Sequence, residues 1–212
     1  MLPAGRIIAF ALTAFVVIVI PGPSVLFVVG RALACGRRVA VLTVVGNALG
    51  EYVQVIAVAF GIGALAEQSV AAFTTLKLVG GAYLIYLGVR TFRERKSLAE
   101  ALAVPASVCS DRRAFLEGAT VGVTNPKTVV FLAAILPQFV SRAQGHVPEQ
   151  ILVLGAVFAA IAVMSDTLWA LGGGALRRWF ARSPRRLELV GGAGGLAIVA
   201  VGTGLLVSGR KN

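Results

Sequence analysis

The chain has 212 residues, 58% of them hydrophobic and only 14% charged, with a mean hydropathy of +0.88. Soluble domains are about half apolar and a quarter charged, so this composition excludes a soluble globular fold and predicts a polytopic helical membrane protein. The net charge of +11 would suit nucleic acid, but the arginines gather between apolar runs as topogenic charge does, and nucleic-acid binding is set aside.

Six membrane spans are predicted, at 7–29, 39–65, 70–90, 115–140, 150–175 and 187–208. The first contains Pro21-Gly22-Pro23-Ser24, where prolines deprive carbonyls four residues earlier of their helical donors. Such groups cannot stay unsatisfied in hydrocarbon, so a break here has to face protein or a water-filled cavity. Just beyond it, Ala32-Leu33-Ala34-Cys35 imitates a leader cleavage site, but Arg31 abuts it and the apolar run is too long for a signal segment. The first span is therefore read as retained.

The second span carries Asn47, Glu51 and Gln54 on one helical face. After the third span comes the longest polar stretch, 91–114, which reads as a linker between a first unit over 1–90 and a second over 115–212. The whole of 1–212 is expected to form a single membrane domain. The fourth span is interrupted at Asn125-Pro126-Lys127-Thr128, in register with the first break. The fifth holds Asp166. In the sixth, Leu187-Glu188-Leu189-Val190-Gly191-Gly192-Ala193 repeats Leu76-Lys77-Leu78-Val79-Gly80-Gly81-Ala82 of the third. Two matches in the same order predict two three-helix repeats, and an odd helix number per repeat inverts the second copy in the membrane. The expected fold is thus all-α, six transmembrane helices in two inverted repeats with broken first and fourth helices, a pattern of secondary transporters.

Fourteen of the 20 Lys and Arg fall in the three odd-numbered loops and four in the even loops and termini. That bias places the odd loops, including the linker, in the cytoplasm and both termini outside. Glycine pairs at four-residue spacing, Gly46 with Gly50, Gly118 with Gly122 and Gly191 with Gly195, predict close packing inside the bundle rather than a dedicated dimer face, and leave homo-oligomerisation open. Cys35 and Cys109 form no CxxC pair and read as incidental thiols.

Ionisable groups at mid-span are expensive and suggest function. Glu51, Asp166 and Lys127 qualify. The bland reading is that Lys127 pairs with one of the carboxylates and holds the bundle together. In the functional one, the helix starts after the two breaks, capped by Ser24 and Thr128, offer N–H groups to a carboxylate, with Lys127 in support. Glu51 and Asp166 would hold an ammonium group or carry a proton. The candidate substrate site is then Pro21, Gly22, Pro23, Ser24, Asn47, Asn125, Pro126, Lys127 and Thr128, and a zwitterionic amino acid fits it. No cofactor or metal is expected. His146 sits in an outer loop without metal-ligand company, and Lys77 lies where it can snorkel.

Pro21-Gly22-Pro23, Gly46-Asn47-Ala48-Leu49-Gly50-Glu51, the third-span run with Leu87-Gly88, and Asn125-Pro126-Lys127 leading to Leu136-Pro137-Gln138-Phe139 together resemble the LysE/RhtB amino-acid exporters over nearly the whole chain. The resemblance implies a multi-pass protein of the bacterial inner membrane that exports an amino acid or a derivative, such as homoserine or threonine. Its partners would be that substrate, protons from the proton-motive force, and lipid. It carries the family's proline-glycine-proline and Asn-Pro-Lys motifs onto the two breaks and its acidic positions onto Glu51 and Asp166. Two other classes fit the residues less well. An exporter of metal or other cations lacks a soft-ligand cluster in the membrane. An intramembrane enzyme lacks recognisable catalytic motifs, so no enzymatic activity is expected.

Overall fold

The structure is a computed structural model and describes residues 2–20, 22–62, 70–94, 110–181 and 183–207. Pro21, Cys109 and most of the 91–114 linker lie outside the described residues, as do the side chains of Pro23 and Trp179. The described residues are almost all helical, with no strand among them.

The first span is two helices, α1 (Ala4–Val19) and α2 (Pro23–Cys35), bent by 54°. Gly36, at φ 83°, ends α2 in a conformation that only glycine adopts freely, and α3 (Arg37–Ala57) starts at once. The last turn of α3 widens into a π turn at Val58–Ile62. Next comes α4 (Val70–Arg93). The fourth span is again divided, into α5 (Asp111–Thr124) and α6 (Pro126–Val130), which runs on through a π turn at Phe131–Ile135 and a 3₁₀ turn to Phe139. Its bend is 43°. Both spans therefore break where their prolines were read. The chain closes with α7 (Val147–Ala181) and α8 (Pro184–Val207).

Among the described residues, α3, α7 and α8 are long and apolar enough to cross a membrane, and counting each bent pair as one span makes five. Among the described residues, α4, expected as the third of six spans, is not in that set. The exterior is apolar: Leu12, Phe60, Met164, Leu168 and Leu189 are each more than half exposed, whereas Asn47, Glu51, Lys127 and Asp166 are buried. A soluble protein has the opposite arrangement, and this one suits lipid outside and polar groups in the bundle.

Packing rests on glycines at close approaches. α3 and α5 lie backbone to backbone: a Cβ at Gly46 would run into the Phe115 carbonyl oxygen, and one at Gly122 into that of Asn47. α4 and α8 meet through Gly88 and Gly195, where a Cβ on either would lie 2.6 Å from the other's carbonyl oxygen. The glycine faces read from the sequence are thus internal seams. One reading is corrected: Cys35 is disulfide-bonded, not an incidental free thiol; the lack of a CxxC spacing does not bear on bridges between positions far apart in sequence.

Candidate functional site

The two breaks meet at the centre of the bundle with the acidic faces of α3 and α7. Ser24, Glu51, Lys127, Thr128 and Asp166 line one small cavity, walled by Val17, Ile18, Phe158 and Ala162. It has room for roughly one water molecule. Asn47 adjoins it, donating from Nδ2 to Asp166 Oδ2 at 3.3 Å. Thr128 Oγ1 donates to Glu51 Oε1 at 3.1 Å, and Asn125 Nδ2 to Ser24 Oγ at 3.2 Å, so α3 is tied to α6 and the two breaks to each other. Glu51 Oε2 and Asn47 Oδ1 are buried with no hydrogen-bond partner.

Lys127 does not take the structural part foreseen for it. Its ammonium is in ion-pair contact with neither carboxylate; it donates to the carbonyls of Val17 and Ile20, each at 3.0 Å. The Val17 oxygen is the one left without a helical donor by Pro21, and a cation at the C-terminal end of α1 also meets the negative end of the helix dipole. An ammonium has three donors, so two are spent on the break and one remains for the cavity that Lys127 lines. Gly22 is close by: a Cβ there would stand 3.2 Å from Nζ.

The capping assignments also change. α2 starts from Gly22, which has no side chain to cap it, and Ser24 Oγ, already past the cap position, accepts from Asn125 instead. α6 is capped by Asn125, whose Oδ1 accepts from the Lys127 amide at 3.1 Å, while Thr128 serves Glu51 instead. An Asn followed by Pro at the first helical position is itself a start signal, and reading it would have found this cap. Pro126 shapes the break but is exposed, outside the cavity wall. Gln54, on the helical face it shares with Asn47 and Glu51, has a task that the face alone does not show: its Nε2 donates to the carbonyls of Gly122 and Val123 at 2.7 and 2.8 Å.

Two clusters of different chemistry lie further along the helices that line the cavity. Beyond α1, Phe10 packs against Phe139 (ring centroids 5.4 Å apart) and Phe131 (5.9 Å), and Phe131 against Phe158 (5.4 Å). At the opposite end, buried Arg31 of α2 pairs with Glu117 of α5, which also holds Arg113 at 2.7 Å, and the Arg31 guanidinium lies 5.2 Å from the Phe27 ring centre.

The model of the LysE type translocators matches residues 15–209. The homoserine/homoserine lactone efflux protein of Salmonella typhimurium is 31% identical over 202 residues, covering 95% of this chain and 96% of that protein. An uncharacterised membrane protein of Vibrio cholerae is 37% identical over 155 residues, 73% of this chain and 74% of its own length. The leucine efflux protein of an Enterobacter strain is 25% identical over 194 residues, 90% of each chain. No solved structure matches.

Proposed function

This chain belongs to the LysE family of translocators, and on that premise we propose that it exports an amino acid or amino-acid derivative across the bacterial inner membrane, with proton influx driving alternating access. The observation that carries the reading is the meeting of both helix breaks with Glu51, Asp166 and Lys127 around one buried cavity. The substrate carboxylate goes to the uncapped start of α2, at Gly22, Pro23 and Ser24 beside the spare Lys127 donor, because that helix start has no internal cap competing for its N–H groups. The ammonium goes to the acceptor-rich opposite wall of Asn47, Glu51 and Asp166, and one carboxylate there also carries the proton. Asn125, Pro126 and Thr128 hold the second break in shape around them.

In this arrangement the cavity is too small for an amino acid, so loading needs one end to open. The inverted three-helix halves supply two such ends, the Arg31–Glu117–Arg113 network on the cytoplasmic side and the phenylalanine cluster on the outer side. The relatives make homoserine, homoserine lactone and leucine the first substrates to try. In proteoliposomes holding the purified chain, an imposed pH gradient should drive movement of one of a panel of labelled amino acids, and Asp166→Asn should abolish that movement without loss of folded protein. Absence of transport across the whole panel, or full pH-driven transport by the variant, would overturn the reading.

A further inference from the structure

The second break has a donor that the motifs do not contain. Pro126 has no N–H, so the Gly122 carbonyl loses its helical partner four residues on. The Lys127 amide would have served Val123, but Asn125 Oδ1 takes it at 3.1 Å. Two carbonyls are thereby left bare inside the bundle. Gln54 of α3 reaches both, with Nε2 at 2.7 Å from Gly122 O and 2.8 Å from Val123 O. An amide nitrogen has two hydrogens, and this arrangement spends both. Its Oε1 is buried without a partner, so the position is used for donation alone. Three residues earlier on the same helix, Glu51 holds Thr128 on the far side of the break. α3 therefore grips the interruption before and after its bend.

We propose that Gln54 is a positioning residue for transport: by holding the Gly122 and Val123 carbonyls it sets the angle between α5 and α6, and so the placement of Lys127 and Thr128 in the cavity. This rests on the reading above that the second break helps to form the substrate site. Lys127 does the same for the first break, two carbonyls on one side-chain nitrogen, which says what a replacement at 54 must retain.

The test compares Gln54→Met, of similar shape but without a donor, with Gln54→Lys, which can still donate to two carbonyls, in the full chain in proteoliposomes. Gln54→Met should raise the KM for the transported amino acid about tenfold with a smaller change in maximal rate, as expected when a binding group is misplaced rather than removed. It should also speed amide hydrogen exchange over residues 124–130, and Gln54→Lys should return both readouts towards wild type. Wild-type KM and exchange in Gln54→Met, or a lysine variant no better than the methionine one, would overturn the proposal. Should the methionine variant fail to accumulate in the membrane, Gln54→Glu, with at most one donor, takes its place in the same comparison. The exchange measurement reads the break whatever the cargo, so a wild-type protein that moves no amino acid would sink the transport reading while leaving this one to its own result.

Discussion

The two helix breaks answer the same physical problem with different chemistry. At the first, carbonyls of α1 are met by the Lys127 ammonium, which the second break itself contributes. At the second, carbonyls of α5 are met by the neutral amide of Gln54, from a helix that is not broken there. The amide spends both its hydrogens, while the ammonium spends two of three and brings a charge. Likewise the helix start after the second break is capped by Asn125, and the one after the first is not. One interruption is closed on itself and the other retains donors to give. The lesson is that two breaks of similar sequence can be satisfied differently, one by a neutral amide and a cap of its own, the other by a charged side chain that keeps a donor for the cavity.

The sharpest way to break that contrast is Lys127→Met. It strands two buried carbonyls, each costing about 1–3 kcal/mol, and removes the spare donor, so export should fall to background; Lys127→Arg, with donors for both carbonyls, should retain part of it. Export measured against membrane abundance checks both. Next comes Asp166→Asn, which keeps an acceptor for Asn47 but cannot take up a proton. It should lose transport driven by a pH gradient while leaving thermal stability in detergent near wild type.

A smaller effect is expected at the seam that holds the second break. Gly122→Ala puts a Cβ against the Asn47 carbonyl and should lower stability by about 1–3 kcal/mol, by overpacking. Gly30→Ala in α2, with nothing within 4 Å of its Cβ, should be neutral or stabilising by up to about 1 kcal/mol. A thermal-shift comparison separates the two. The smallest of the losses is Ser24→Ala, which takes away only the acceptor for Asn125 Nδ2, about 1 kcal/mol. If it instead abolished binding of labelled substrate, the first break would depend on the Ser24 hydroxyl and not on its backbone and Lys127.

Much of the site could be read from the chain before any fold was known. Proline chemistry located both interruptions, the 3.6-residue period put Asn47, Glu51 and Gln54 on one face, and the cost of charge in lipid singled out Glu51, Lys127 and Asp166. These are local rules, set by a residue and its near neighbours. Which groups satisfy which was not local. Lys127 reaches carbonyls 110 and 107 positions away, Gln54 reaches 68 and 69, and the Glu51–Thr128 bond spans 77. The sequence alone determined where the helices had to break and which side chains were too polar for lipid. The tertiary structure decided who meets the stranded carbonyls, because a freed acceptor accepts any donor that packing brings within about 3 Å, and for Gln54 it is the glycine seam between α3 and α5 that brings it that close.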